Sequence, residues 1–419
     1  MIQSRSGGLY YGWRVLIALF LAGFMVYGGG LYSFVLFVVP LTQEFHWNRA
    51  ATGGLVTAFW LSAPLILLGG FGIKRFGATH MLIAGILLEA TCVALLSTVS
   101  SFWQMYALRA AMGFGKIIFA VTLPYSVSRW FSRHYSFGLG ITWSGWHVGG
   151  MVLAPVTGWI IAHFGWRAAC LSIAVGLITI GLIPTLLTQR ARSPRLLGLG
   201  LDGDPIDPSV DPRKPEADET PRGSLGDLLR SPMFWLLAVL TLLVYITYSG
   251  LLTHQGAIVE GAGFTAALAS LVLGSTAGFA AVGSLSVGWI LDRASLRNVG
   301  VALCALLLIG ALSLLWVNRA HSAAALVSYA SCFGFVIGGS DLYFVAFLRQ
   351  RFPHVSVAYS YSAWYFCQIL TLLLGGPAAG LMFDLTGNYD RTLGMLAGSA
   401  ALALLLSLVI VRPAKLAQG

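Results

Sequence analysis

PVTGWIIAHFGWR at 155–167 and PAAGLMFDLTGNYDR at 377–391 decide the fold. Pro155, Gly158 and Gly165 recur as Pro377, Gly380 and Gly387, all displaced by 222 residues. Arg167 follows the first stretch and Arg391 the second. Two further pairs keep nearly the same displacement: Gly12-Trp13 with Phe234-Trp235, and Gly113-Phe114 with Gly334-Phe335. Several matches in one register mean duplicated halves, and duplicated apolar halves are the build of carriers that hold a solute near the bilayer midplane.

Apolar runs extend outward from both stretches almost to the chain ends. A bilayer core takes roughly 20 apolar residues per helix, and the runs predict spans at 14–40, 49–71, 78–98, 103–127, 137–162, 167–189, 233–257, 265–290, 298–317, 322–348, 356–381 and 391–412. The expected fold is therefore all-α, twelve transmembrane helices in two pseudo-symmetric six-helix bundles, 1–189 and 233–419. The 190–232 stretch between them contains Pro194, Pro205, Pro208, Pro212, Pro215 and Pro221 with mixed charge, and is expected to be a mobile cytoplasmic linker.

Composition agrees. With 57% hydrophobic and 10% charged residues, the 419-residue chain has too little charge to cover a soluble surface. Its net charge of +10 does not point to nucleic acid, because the basic residues lie in short turns between spans. Placing the N-terminus inside puts nineteen of them on the cytoplasmic side and four outside, so both termini are expected in the cytoplasm. The first apolar run has no cleavage-site pattern and is expected to be a permanent span. Cys92, Cys170, Cys304, Cys332 and Cys367 all sit in apolar runs, with no metal-ligand spacing. No metal, cofactor, ATP-binding loop or catalytic cluster is expected; the chain reads as a carrier and not an enzyme.

Over nearly its whole length the sequence resembles the major facilitator superfamily, and within it the branch of monocarboxylate porters and oxalate–formate antiporters. Four stretches carry this: Tyr11-Gly12-Trp13, Trp47-Asn48-Arg49, Trp130-Phe131-Ser132-Arg133 leading to Gly138 and Gly140, and the Gly376-Pro377 to Tyr389 segment. The resemblance implies alternating access, a small organic anion as substrate, proton coupling, a monomer and an inner-membrane location. It assigns gating to the turn with Lys74 and Arg75, where the family pattern has an aspartate in place of Lys74, and to Asp292-Arg293 after span 8. Arg109-x-x-x-Gly113-x-Gly115 resembles the family's span 4 arginine motif. Proton-coupled members carry a lysine in span 1 and an aspartate and arginine in span 8; Leu31, Ala280 and Ser284 stand at those positions here.

An ionisable group at the centre of a span costs ~2.5–3.5 kcal/mol on insertion scales, so each requires a reason. Six are present: Glu89, Arg109, Lys116, His147, His254 and Asp341. Lys116 lies near the middle of span 4, which lines the cavity in this family; it is read as the substrate's cation, against a structural salt bridge to Asp341. Asp341 is either a proton acceptor or one side of a gate pair. Glu89 and Arg109 are read first as a pair within one bundle, with proton relay as the alternative. His147 and His254 are either packing residues or contacts to substrate and proton. Tyr27, Tyr32, Tyr248, Ser284 and Trp364 complete the expected substrate lining, aromatic rings offering an apolar face and one donor. A neutral or zwitterionic solute, held by Asp341 and Lys116 together, is the rival reading, and anion exchange a third.

Overall fold

Backbone in lipid must close its own hydrogen bonds, which leaves helices as the solution for a chain of apolar runs. The computed structural model describes residues 10–47, 54–55, 58–189, 193–205 and 223–410; among them the regular elements are helices, with an isolated β-bridge between Leu199 and Pro205. Asn48, Arg49, Arg412 and Lys415, with linker residues 206–222, lie outside the described residues. Among the described residues, ten helical stretches are long and apolar enough to cross a membrane.

The chain divides into two units, Met1–Arg222 with Pro353–Ala363 and Gly223–Phe352 with Trp364–Gly419. In the first, α1 (Tyr11–Met25) continues through a π-helical turn, Val26–Leu31, and a 3-10 turn, Tyr32–Phe37, into α2 (Val38–Phe45). α3 (Gly69–Phe76), α4 (Ala78–Leu96) and α5 (Phe102–Ser128) follow. α6 (Tyr135–Gly176) passes through a second π turn, Leu177–Leu182, into α7 (Ile183–Thr188).

The second unit holds α8 (Leu225–Arg230), α9 (Pro232–Gly261), α10 (Ala266–Leu291), α11 (Leu296–Ala320), α12 (Ala323–Arg351) and α14 (Tyr389–Ile410). α13 (Val357–Thr386) begins in the first unit and ends in the second.

Two sequence expectations change in detail. The run over 49–71 is not one helix: residues 59–62 form a turn, and Ala63–Leu68 is a 3-10 turn with Pro64 near its start. Proline lacks the N–H needed to continue a helix and disfavours α geometry before it. The linker is not all free chain: Pro194–Leu197 and Leu201–Gly203 are 3-10 turns, and Asp202 is buried against the 130–134 loop.

The repeat seen in sequence has a conformational meaning. Gly165 and Gly387 both adopt positive φ, 80° and 64°, interrupting or ending helices that carry Pro155 and Pro377 in their interiors. Helices pack through small residues, as they do in lipid. Gly85 on α4 and Gly115 on α5 face each other's carbonyls, while Gly338 on α12 lies against the Ala280 carbonyl of α10.

Candidate functional site

Three buried charges of the first unit gather around the π turn after α1. Gly28, Gly29 and Gly30 let that turn approach its neighbours closely: Gly28 meets the backbone of Gly149, and Gly30 leaves no room for a β-carbon beside the Glu89 carboxylate. π-helical turns concentrate at functional sites because they re-aim a side chain. Here the turn presents Tyr27, stacked on Trp146 of α6 with ring centroids 3.9 Å apart and 7° between planes.

Lys116 stands on α5 beside this stack and is 1% exposed. Its Nζ is 5.1 Å from the Tyr27 ring centroid and 4.5 Å from that of Trp60, which the interrupted second span supplies. Aromatic faces stabilise an ammonium through the ring quadrupole, more strongly where water is excluded. Two turns earlier on α5, the Arg109 guanidinium sits 3.6 Å from the Phe34 ring centroid and 4.7 Å from that of Phe59, and donates to the Gly30 carbonyl at 3.1 Å.

Glu89 on α4 completes the group. It is fully buried, neither carboxylate oxygen has a hydrogen-bond partner among the described residues, and both Arg109 and Lys116 act on it electrostatically. Tyr27, Glu89, Arg109 and Lys116 are therefore brought together. With all three ionised, the cluster holds two cations and one carboxylate.

The second unit has its own polar centre. Asp341 on α12 accepts on Oδ1 from the Tyr245 hydroxyl of α9 and from Gln368 Nε2 of α13, the latter at 2.7 Å. Trp364 stacks on Phe344 at 5.2 Å and donates Nε1–H to Thr241 at 2.9 Å. Tyr248 packs beside Tyr245, their centroids 5.5 Å apart.

Other expected residues sit elsewhere. Ser284 is buried and shares its hydroxyl proton between the Ala280 and Gly338 carbonyls, bridging α10 and α12. His254 lies within hydrogen-bond distance of the Gly376 carbonyl and the Tyr389 hydroxyl, 3.1 and 3.3 Å away, about two and a half turns along α9 from Tyr245. Tyr32 is 39% exposed, with its ring over Gly150, and His147 is buried on α6 next to Trp146. Lys74 and Arg75 are exposed at the end of α3; the Arg293 guanidinium lies 4.2 Å from the Trp289 ring centroid, beside the Asp292 cap of α10.

Trp60, Trp146, Tyr245 and Gln368 were not singled out from sequence. The spacing Trp143-x-x-Trp146, one turn of a helix, was the available signal for one of them. Among the described residues no cluster of three or more His, Cys, Asp or Glu could hold a metal ion.

Comparison with known proteins agrees with this architecture. The chain is 24% identical to bovine (Bos taurus) monocarboxylate transporter 13 over 411 residues, covering 96% of this chain and 89% of that protein. It is 26% identical to mouse (Mus musculus) monocarboxylate transporter 11, covering 91% and 83%. In structure it is similar to the E. coli fucose:proton symporter, with a TM-score of 0.65 at 17% identity, covering 94% and 98% of the two chains. The family model of the Major Facilitator Superfamily matches residues 15–354. This multi-pass membrane protein belongs to the major facilitator superfamily, whose members are carriers and not enzymes.

Proposed function

We propose that the chain is a secondary transporter of a small organic anion, a carboxylate, driven by protons through alternating access. One observation carries the reading: Lys116 is buried between aromatic rings, close enough to Arg109 and Glu89 that both cations act on that carboxylate. A buried ammonium and guanidinium this close together favour a negative charge brought between them. A carboxylate about 4 Å from the ammonium gains about 4 kcal/mol at an effective dielectric of 20, against about 1 in water. Desolvation offsets part of that gain, and a hydrogen bond to a charged group leaves a net ~1.5–3 kcal/mol. The names of the relatives, monocarboxylate transporters 11 and 13, support the substrate class.

Glu89 supplies the coupling. Protonating it removes a negative charge that offsets Arg109 and Lys116, so proton uptake and anion binding favour each other, and linkage makes that preference reciprocal. The fucose:proton symporter, similar in fold, supports proton coupling as a property this architecture can carry. The basic-residue asymmetry supports an orientation with both termini in the cytoplasm, at the cell's inner membrane, and the carrier is taken to work as a monomer.

Uptake of a labelled monocarboxylate into proteoliposomes, with and without an inward proton gradient, tests the reading. Lys116→Met should abolish uptake under both conditions; Glu89→Gln should retain exchange while losing the response to the gradient. Undiminished uptake by the Lys116 variant, or gradient-driven uptake by the Glu89 variant, would contradict it. The zwitterion reading draws on Asp341, held in place by Tyr245 and Gln368. Only that reading requires Asp341→Asn to lose amino-acid uptake while Lys116→Met loses it too.

A further inference from the structure

The start of α4 carries a feature that transport does not use. Gly77, at φ 81° and ψ 148°, breaks the chain between α3 and α4 and is the N-cap of α4, so no side chain caps that terminus. The first amides of a helix have no intrahelical acceptor and bear the positive end of its dipole. A cavity of about 260 Å³ opens there, lined by Phe76–His80, Ser126, Arg129, Trp130 and Gln189. None of these residues is acidic.

Two buried side-chain donors face the same space without acceptors. Gln189 is 8% exposed; its Oε1 accepts from the Thr79 hydroxyl at 3.2 Å, while its Nε2 has no partner. Arg129 Nε is also buried and unpartnered. A buried donor left unpaired is costly, and a guanidinium, an amide and a helix N-terminus together make an oxyanion site.

The polar cavity does not end in polar walls. It shares Phe76 and His80 with an apolar groove of about 510 Å³, whose sides include Leu65, Leu68, Phe71 and Phe114. Those four side chains are exposed. A free phosphate would fill the polar part and leave the groove empty. A molecule with an anionic head and a hydrocarbon tail fits both.

We propose that the two cavities hold one anionic phospholipid, its phosphate at the start of α4 against Arg129 and Gln189, and an acyl chain along the groove. The exposed Lys74 and Arg75 add to the positive field that draws an anionic headgroup here. The site is separate from the Lys116 cluster, so it stands or falls independently of the transported solute.

Native mass spectrometry of the full chain, exposed to equimolar phosphatidylglycerol and phosphatidylcholine, tests the assignment. Phosphatidylglycerol should be retained over phosphatidylcholine by about tenfold: both bring the phosphate, but phosphatidylcholine also brings a quaternary ammonium into the positive field of Arg129, Lys74 and Arg75. Arg129→Gln should bring the ratio close to parity, and Gln189→Leu should lower the retention of both lipids. Thermal unfolding in detergent supplies a second readout that needs no variant: phosphatidylglycerol should raise Tm, while glycerol phosphate and inorganic phosphate should not. Equal retention of both lipids, or a Tm rise with inorganic phosphate matching that with lipid, would overturn the proposal. The latter outcome would identify a free-phosphate site.

Discussion

Replacing Asp202 should release a piece of the linker from the first unit. Asp202 stands at φ 58° and is 3% exposed. Its carboxylate accepts the backbone N–H groups of Ser132, Arg133 and His134 at 3.0, 2.9 and 3.3 Å, and its own N–H donates to the Trp130 carbonyl at 2.9 Å. Those three amides precede α6, so a side chain 70 residues away does the work of an N-terminal cap. Asp204 adds an ion pair to Arg133 at 2.6 Å, and the Tyr10 hydroxyl donates to the Trp130 carbonyl at 2.9 Å from beneath.

Asparagine keeps one acceptor oxygen but loses the charge. Each hydrogen bond to a charged group is worth ~1.5–3 kcal/mol net and a neutral one about 1. Two well-formed amide bonds weakened in this way give a loss of about 2 kcal/mol, or about 30-fold in the closed-to-open ratio of the turn. Alanine, which leaves three donors bare, should cost more. Burial alone would raise the Asp202 carboxyl, but the amides of Arg133 and Ser132, with His134, outweigh it and hold the group below the usual carboxylate range. A depressed folded value means the stabilisation is complete above the unfolded pKa of about 3.9 and is lost as pH falls through the lower folded value. Docking should thus be flat across neutral pH and weaken only in acid. Hydrogen exchange at the amides of residues 132–134 is the assay. Exchange about 30-fold faster in Asp202→Asn is expected; unchanged protection in that variant would refute the role given to the carboxylate.

Gly165→Ala and Gly387→Ala should each cost about 1–2 kcal/mol, because an L side chain at positive φ is strained while a β-carbon at either site meets no atom within 4 Å; equal falls in Tm would show that the repeat-related turns are equivalent. Glu44→Gln should cost at most ~1 kcal/mol, since the pair with Arg167 at 2.7 Å is exposed on both sides. Hydrogen bonding to Arg167 holds Glu44 below its usual value. The pair's small contribution is therefore present above about pH 4.3 and fades as pH falls below it, which acid-dependent Tm measurements on both proteins would register.

Much of the fold was legible because it is written in long-period features. Apolar runs marked the helices, and the Pro–Gly spacing marked the two turns that proved to share positive φ. The family motifs at Tyr11-Gly12-Trp13 and Trp130-Phe131 turn out to meet: Trp13 lies 5.2 Å from Phe131, and Gly12 leaves no room for a β-carbon beside Tyr10 and Phe131. Their first role in this chain is to hold α1 against the loop before α6.

The candidate site was only partly legible. Charges in apolar runs are conspicuous, so Glu89, Arg109, Lys116 and Asp341 stood out. Their neutral partners did not, because Trp60 and Gln368 look like any other residue in a span until the turn at 59–62 or the facing helix places them. Ser284 and His254 illustrate the converse. Polar side chains in lipid are often bonds between helices, and a sequence does not distinguish that bond from a substrate contact. The docked linker was hidden for a similar reason, since prolines and mixed charge describe a loop without revealing that one aspartate fits three amides far away in the chain.

Ligand-dependent thermal unfolding of the native carrier and Lys116→Met, across monocarboxylates, dicarboxylates, amino acids and neutral analogues, tests the assignment of Lys116 most directly. A ligand bound only by the folded state stabilises it by about 2.7 kcal/mol at a hundredfold excess over Kd. A monocarboxylate should raise the Tm of the native protein and leave that of Lys116→Met unchanged, while its neutral analogue moves neither. Equal stabilisation of both proteins by the carboxylate, or stabilisation by the neutral analogue alone, would contradict the reading of Lys116 as the anion's anchor.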